Sequence, residues 1–263
     1  MHIPSASAIA TPRIRTQCRA AWVAAASFFI ALSVHVTARA GTALERLVAT
    51  IHAQAPNIGP QAILTSLNAY LHVRQQHLTD KPLVTIVDYS LPSAKKRLAV
   101  ADVQTGKVLF YTYVAHGKGS GLDSATRFSN QPGSDASSLG VYLTGSTYNG
   151  EHGYSLRLHG LDPGFNGDAY RRAIVMHSAW YVSRKFAEAH GRMGRSWGCF
   201  ALSRKVEGAL VKLIRQGTVL VGYYPDPRWL HSSAFLTRPA SRLAGLGSAL
   251  AARGVSTVAG WAR

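Results

Sequence analysis

The chain has 263 residues, of which 47% are hydrophobic and 16% charged, so it holds enough apolar material for one well-buried core. Its 29 basic and 12 acidic residues give a formal net charge of +17, which favours association with polyanions. No repeat of fixed period is present, and this excludes a repeat architecture. We therefore expect one main domain with appendages.

The first forty residues have the layout of a secretory signal peptide. Three basic residues precede an apolar run and a pair of small residues: Arg13, Arg15 and Arg19, then residues 20–36, then Ala38 and Ala40. The apolar run is shorter than the roughly 20 residues that span a bilayer. We predict a leader over residues 1–40, cleaved before Gly41, and export to the periplasm or cell envelope. The alternative is an uncleaved membrane anchor.

Loss of the leader changes the expected partner of the basic protein. It leaves 25 basic and 12 acidic residues, a net charge of +13. Nucleic acid would be the first candidate for a cytosolic protein of this charge. Export shifts the expectation to the anionic cell envelope, with no nucleic-acid partner: lipid headgroups or the carboxylates of peptidoglycan stem peptides. Alternatively, the basic residues only keep the surface soluble. The sequence carries no signal for the oligomeric state.

Residues 41–80 predict two short helices. Apolar residues recur at helical spacing on both sides of a break between Pro56 and Pro60: Leu44, Leu47, Val48 and Ile51, then Ile63, Leu64, Leu67, Tyr70 and Leu71.

From Pro82 the pattern changes to period two, with β-branched and aromatic residues that favour strands. The predicted strands cover 83–89, 97–103, 107–115, 139–145, 154–158, 173–177 and 218–224, with a helix over 206–215. Short strands with little helix between them indicate a mainly β domain over 81–226, a sandwich or barrel of mostly antiparallel sheet. The Ala- and Arg-rich tail over 227–263 has weak periodicity, and we expect it to be disordered or surface-bound.

Two loops are candidates for function. Residues 117–138 form a Gly-, Ser- and Asp-containing stretch with little strand signal, and loops of that length are usually functional, which suggests a lid or substrate rim. Residues 187–198 carry three glycines and two arginines, Arg192 and Arg195, so this loop can bend tightly and bring positive charge to its end. The alternative for either arginine is a basic surface loop.

Cys199 ends the second loop, and His177 ends a predicted strand. The other cysteine, Cys18, falls in the leader, so the exported protein cannot form an internal disulfide. The thiolate of a cysteine is a strong nucleophile, and an imidazole can accept its proton. Backbone N–H groups at Gly198 and Cys199 would be suitable oxyanion donors. The alternative is a buried cysteine and an unrelated histidine.

Three stretches in this order resemble the murein L,D-transpeptidase catalytic domain family of YkuD-like enzymes. They are residues 127–134, residues 152–158, and residues 175–182 followed by 194–199. The resemblance covers roughly residues 83–226. It implies an L,D-transpeptidase-like β-sandwich or barrel with short N-terminal helices.

By this resemblance Cys199 is the nucleophile and His177 the general base. Ser196 and Gly198 occupy two positions of the family's Ser-His-Gly-Cys signature, and Trp197 replaces its histidine. Ser178 follows the base where glycine is usual, and Ala201 stands where many relatives have an arginine. If that arginine docks a carboxylate, the role falls here to Arg195, Arg192 or Arg157. Further candidates for substrate binding are Trp197, Tyr154 and Tyr181.

The resemblance implies acyl transfer from a peptidoglycan stem peptide through a thioester on Cys199, without a metal or cofactor, and acylation by carbapenems. An amine that resolves the thioester would form a crosslink, whereas water would make the protein an L,D-carboxypeptidase. A zinc peptidase with His152, His159, His177 and Asp162 as ligands, and a non-catalytic wall-binding protein, are the other hypotheses.

Overall fold

The computed structural model describes residues 43–236, all within one compact unit that spans Ala43–Pro239. The predicted leader at 1–40 lies outside the described residues. Helix α1 covers residues 43–54 and helix α2 covers Pro60–Gln75, which begins with a proline in its first turn. Ile51, Ile63 and Leu67 are fully or almost fully buried in the main core. The two short helices are therefore confirmed, and they are part of the same domain as the sheet.

Eight strands form one sheet in the order β3-β2-β1-β8-β4-β5-β6-β7. They are β1 Leu83–Asp88, β2 Leu98–Asp102, β3 Val108–Thr112, β4 Gly140–Gly150, β5 Gly153–Gly160, β6 Val175–Ala179, β7 Phe200–Ser203 and β8 Val219–Tyr223. The pairs β1–β8 and β6–β7 are parallel, and the other pairs are antiparallel. The mainly β fold with mostly antiparallel pairing is confirmed.

The two ends of the sheet are joined by the chain that follows β3. The Ala115 N–H donates to the Ala201 carbonyl of β7 at 2.9 Å, and the two residues form an antiparallel bridge. Gly117 and Ser196 form a parallel bridge beside it. Because β3 and β7 are the outer strands of the sheet order, these bridges curl the sheet towards a barrel. They also hold the loop before Cys199 against the start of the 117–138 loop.

The two faces of the sheet have different partners. Leu156, Leu158 and Met176 point into the main core and are fully buried. Successive side chains of a strand point to opposite faces, so Arg157 and His177 lie on the other face. The register pairs Arg157 with Val175 and Ser155 with His177, which puts all four side chains on that second face. This second face carries the candidate site.

The remaining helices are short: the 3₁₀ turn Lys118–Ser120, α3 Arg184–His190, α4 Glu207–Ile214 and α5 Pro227–Ser232. No helix among residues 43–236 has the length and apolar character needed to cross a membrane.

Helix α5 lies beyond the domain limit predicted at residue 226. Trp229 of α5 is fully buried, and its indole N–H donates to Asp162 Oδ2 at 2.9 Å. Ser233 donates to Asp162 Oδ1 at 2.6 Å, and Phe235 joins the main core. The packed domain thus extends to residue 236, because one tryptophan anchors a helix too short to show periodicity. The rest of the predicted tail lies outside the described residues.

Candidate active site

Cys199 and His177 reach the second face of the sheet from neighbouring strands. The parallel β6–β7 register pairs His177 with Ala201, so Cys199, which immediately precedes β7, lies beside Val175. The Cys199 sulfur lies 3.6 Å from the Ala173 carbonyl oxygen. His177 is two residues from Val175 along β6, and residues two apart point to the same face. The fold therefore places Cys199 and His177 on the same face of neighbouring strands, and their pairing as nucleophile and base stays a prediction.

The proton of His177 is fixed by a backbone contact. Its Nδ1 lies 2.9 Å from the Ser178 carbonyl oxygen. A carbonyl can only accept, so Nδ1 carries the proton and Nε2 keeps its lone pair. Burial lowers the pKa of His177, and the nearby His152 lowers it further, against the effect of the Ser178 carbonyl. The ring is therefore neutral near pH 7 and can act as a base. Ser178 contributes its backbone, which explains why serine can replace glycine there.

His152 stacks on the base. The two imidazole rings have centroids 4.5 Å apart with an interplanar angle of 27°. His152 stands on the exposed turn between β4 and β5. It therefore covers one side of a His177 ring that is only 4% exposed.

The half-buried Cys199 thiol is subject to opposing effects. Burial raises its pKa, whereas a hydrogen bond from the Val175 backbone and the charge of Arg172 lower it. The net shift is upward, which favours the protonated thiol at rest. Ionisation of the sulfur then requires proton transfer to a base as it attacks.

Arg172 lies near Cys199 and was not among the residues that the sequence singled out. Its guanidinium makes four hydrogen bonds to the 117–138 loop, with the acceptors Ser129 O, Ser134 Oγ, Ala136 O and Ser138 Oγ at 2.6–3.1 Å. Arg172 thus fixes the loop and brings a positive charge close to Cys199. Its partners lie far away in sequence, so no local pattern could have indicated them.

Ser196 forms two hydrogen bonds within the run 194–199 that ends at Cys199. The Ser196 hydroxyl donates to the Cys199 carbonyl at 2.7 Å and accepts from the Gly198 N–H at 3.2 Å. Gly198 has φ +116°, and a Cβ there would come within 2.8 Å of the Ala136 carbonyl oxygen. Glycine is therefore required on both grounds. The Gly198 N–H, predicted as an oxyanion donor, donates to the Ser196 hydroxyl.

Trp197 lies at the mouth of the site. Its side chain is 73% exposed, and the Lys118 ammonium lies 5.0 Å from its ring centroid and 3.2 Å from Asp135. These contacts connect the two loops that the sequence singled out. A shallow cavity of about 310 Å³ lies here, lined by Pro132, Gly133, Asp135, Arg171, Arg172, Ala173 and Trp197.

Three of the predicted substrate-binding residues have different surroundings. Arg195 donates to the carbonyls of Lys118 and Gly121 at 3.4 and 3.1 Å, so it holds a loop. Tyr154 packs against the main core, which is on the other face of the sheet from His177, and its role in substrate binding stays a prediction. Tyr181 lies close to the thiol: burial, together with the charge of Cys199, raises its pKa to about 12. A Cβ on Gly194 would lie 2.5 Å from the Tyr181 ring, so only glycine fits there.

Arg157 lies on the site face, where two tyrosine rings hold its guanidinium. The guanidinium carbon is 4.4 Å from the Tyr148 ring centroid and 5.8 Å from that of Tyr170. His159 also stacks on Tyr170, with centroids 4.9 Å apart and planes only 10° apart.

The four proposed zinc ligands do not converge on one point. His152 stacks on His177, His159 stacks on Tyr170, and Asp162 is bonded to Trp229 and Ser233. Within residues 43–236 no group of three histidine, cysteine or acidic side chains is arranged to hold a metal.

Three solved structures are similar at low identity. An L,D-transpeptidase from Mycobacterium smegmatis is 12% identical, covers 54% of this chain and 59% of its own, and has a TM-score of 0.34. The LD transpeptidase LdtMt1 in complex with imipenem is 16% identical, with coverages of 53% and 58% and a TM-score of 0.33. An L,D-transpeptidase (Yku) from Stackebrandtia nassauensis is 13% identical, with coverages of 70% and 92% and a TM-score of 0.35.

The present chain thus spans less than two thirds of the first two proteins. No curated protein matches it significantly. The match to a protein family is based on the sequence: the L,D-transpeptidase catalytic domain matches residues 54–223. This span is more than half of the chain and includes both Cys199 and His177. The chain belongs to the L,D-transpeptidase catalytic domain family.

Proposed function

We propose that this protein is a cysteine-dependent L,D-transpeptidase that crosslinks peptidoglycan stem peptides. The observation that carries the proposal is that a thiol and a neutral imidazole lie on the same face of neighbouring strands, with the imidazole proton held on Nδ1 by the Ser178 carbonyl. The imidazole Nε2 is left as a base on the same sheet face as Cys199. Acyl transfer through a thioester needs this combination of nucleophile and base.

The first half-reaction forms the thioester. The Cys199 sulfur attacks the carbonyl carbon of the third stem residue, and the thiol proton passes to His177 Nε2. The resulting oxyanion accepts a hydrogen bond from the Cys199 N–H. Collapse of this intermediate breaks the amide bond to the terminal D-alanine. The departing nitrogen takes the proton from His177, which leaves the acyl group on sulfur.

The second half-reaction resolves the thioester. An amine of a neighbouring stem attacks the acyl carbon and gives its proton to His177. The carbon–sulfur bond breaks, the sulfur regains the proton, and a new amide remains as the crosslink. If water attacked instead, the products would be a free carboxylate and no crosslink, which is the activity of an L,D-carboxypeptidase.

The setting that we propose is the cell envelope. It is supported by the leader-like pattern of residues 1–40 and by the net charge of +13 on the remaining chain, which suits an anionic wall. One similar protein has been solved in complex with imipenem. We propose that imipenem acylates Cys199 of this chain too, since attack on the strained lactam carbonyl uses the same thiol and base.

The test is mass spectrometry of products formed from disaccharide tetrapeptides by the purified full-length protein. Crosslinked dimers together with released D-alanine are expected from the native protein and not from Cys199→Ala. As a matched control, Ser203→Ala replaces a small residue at the far end of β7 and should retain the activity. Shortened monomers alone would establish the carboxypeptidase. Unchanged substrate with a folded native protein would contradict both enzymatic functions and favour a wall-binding role.

A further inference from the structure

We propose that Arg157 is the side chain that binds a carboxylate of the stem peptide, and that Tyr148 and Tyr170 hold its guanidinium ready for this contact. The inference rests on the proposed function, because it takes the stem peptide as the ligand. It assigns a role that the sequence left open among three arginines.

The first argument is the state of the guanidinium. Arg157 contacts the rings of Tyr148 and Tyr170, and no ion pair or hydrogen bond to its guanidinium is found within residues 43–236. Ring faces hold a guanidinium through its π surface and leave the N–H groups at its edge available. A planar fork with free N–H groups is the geometry that binds a carboxylate through two hydrogen bonds.

The second argument is that the other candidate arginines are engaged. Arg195 donates to two loop carbonyls, and Arg192 donates to the Met193 carbonyl at 3.0 Å. Arg172 makes four hydrogen bonds to the 117–138 loop. Arg171 pairs with Asp168 at 3.0 Å. A substrate carboxylate would have to displace these contacts, whereas at Arg157 the two described contacts are with ring faces and leave the N–H groups available.

The third argument is position relative to the reacting sulfur. Arg157 of β5 pairs with Val175 of β6, and Cys199 lies beside Val175 on the opposite side. Two strand spacings separate the backbones of Arg157 and Cys199 by about 10 Å. The side chains of Arg157 and Cys199 lie on the same face of the sheet, and the guanidinium contacts the ring of Tyr148 from β4, the strand on the other side of β5. A stem peptide bound across this face, at roughly 3.4 Å per residue, would pass over both side chains.

Candidate carboxylates of a tetrapeptide stem include the terminal carboxylate of D-alanine and the side-chain carboxylate of diaminopimelate at the third position. Both present the same chemistry to Arg157, so amidation of each in turn distinguishes them.

The experiment uses titration calorimetry to measure the dissociation constant of tetrapeptides from the full-length Cys199→Ala protein, which cannot turn them over. Adding Arg157→Gln is expected to weaken binding of the unmodified tetrapeptide roughly 10- to 100-fold, the loss typical of charge-assisted hydrogen bonds. Arg157→Lys should recover only part of the affinity, because an ammonium lacks the fork. The matched control Arg228→Gln removes the same charge from exposed helix α5 and should bind normally.

Amidation of the carboxylate that Arg157 binds should weaken binding to the protein that retains Arg157 by the same factor and abolish the effect of Arg157→Gln. Amidation of the other carboxylate should leave that effect intact, and this identifies the source. The proposal would be overturned if the unmodified tetrapeptide bound equally well with and without Arg157→Gln. It would also be overturned if Arg157→Gln weakened binding of a peptide with both groups amidated as much as binding of the unmodified peptide. The absence of measurable tetrapeptide binding would overturn it as well.

Two measurements distinguish the carboxylate site from a structural role of Arg157 and from the proposed reaction. The uncharged reagent iodoacetamide should alkylate Cys199 at the same rate with and without Arg157→Gln. A changed alkylation rate would mean that Arg157 has a structural role at the site. Absence of products from the native protein, combined with carboxylate-dependent binding that needs Arg157, would refute the proposed reaction and still support the carboxylate site.

Discussion

Arg172 shows how one side chain can serve two parts of this site. It fixes the 117–138 loop through four hydrogen bonds, and its charge opposes the effect of burial on the pKa of Cys199. These two roles respond differently to substitution. A lysine keeps the charge and cannot reproduce the fork, whereas a glutamine removes the charge.

We therefore expect Arg172→Gln to raise the pKa of Cys199 above its already raised value. At pH 7 the alkylation rate should fall roughly tenfold for each unit of that rise. Arg172→Lys should keep the pKa of the thiol near that of the native protein while lowering the melting temperature. The pH dependence of iodoacetamide alkylation gives the pKa, and calorimetry gives the melting temperature.

Arg171→Gln is the control, because Arg171 is the exposed neighbour that pairs with Asp168. If Arg172→Lys raised the thiol pKa as much as Arg172→Gln, the effect would come from the loosened loop and the electrostatic role would be refuted.

Among the structural elements, the run before β7 is the one most restricted by its backbone. Gly198 adopts φ +116° and packs against Ala136 O and Ile174 Cδ1, each of which a Cβ would approach to 2.8 Å. Gly208 gives the contrast: it lies on the exposed side of helix α4, and a Cβ there would meet nothing within 4 Å.

We expect Gly198→Ala to destabilise the protein by about 1–3 kcal/mol and to abolish acylation by imipenem, because the backbone that carries Cys199 must shift. Gly208→Ala should stabilise the protein by about 0.5–1 kcal/mol and leave acylation unchanged, because alanine is the better helix former. Urea unfolding and mass spectrometry of the imipenem adduct provide the measurements. Native acylation in Gly198→Ala would show that the loop tolerates a different backbone.

The elements also show where prediction from sequence succeeds. Alternation in 154–158 and the apolar run ending at His177 predicted β5 and β6, because their core residues recur with period two. Strand β7 was not predicted, since Phe200–Ser203 is only four residues long and follows a glycine-rich loop. The stacking of His152 on His177 depends on how the β4–β5 turn folds back, which no local pattern specifies.

Across the whole molecule, long-range pairing determines what the sequence alone did not reveal. Cys199 and His177 were singled out by their chemistry and by the family resemblance, and the β6–β7 register places both on one face of neighbouring strands. Arg172 and the Tyr148–Arg157–Tyr170 stack went undetected as units because their partners come from separate elements. Helix α5 was assigned to the tail for a similar reason: its one buried anchor, Trp229, is held by Asp162, 67 residues earlier.

The buried pair Arg97–His116 links the core of the domain to the 187–198 loop. Arg97 Nη2 donates to His116 Nδ1 at 2.8 Å, and the Ser196 N–H donates to the His116 carbonyl at 3.0 Å. Both side chains are fully buried. Burial, together with the charge of Arg97, lowers the pKa of His116 to about 3. His116 is therefore neutral in the folded protein at any pH where the protein would function.

This depressed pKa makes folding stability depend on pH. The unfolded chain protonates His116 near pH 6.5 and the folded protein only near pH 3, so the contribution is present above pH 6.5 and is lost as the pH falls. Between pH 7.5 and pH 5 the loss from this residue should be about 2 kcal/mol. His116→Asn keeps an acceptor for Arg97 and cannot titrate, so its free energy of unfolding should fall less over that range.

Urea unfolding at pH 7.5, 6.5 and 5 measures both proteins. His177 also has a lowered pKa and adds an effect of the same sign, but it is common to both proteins and cancels in the comparison. Parallel stability curves would mean that His116 takes up a proton in the folded state. In that case a second positive charge would lie beside Arg97 in the core, and the 187–198 loop, which is bonded to the His116 carbonyl, would have to tolerate it.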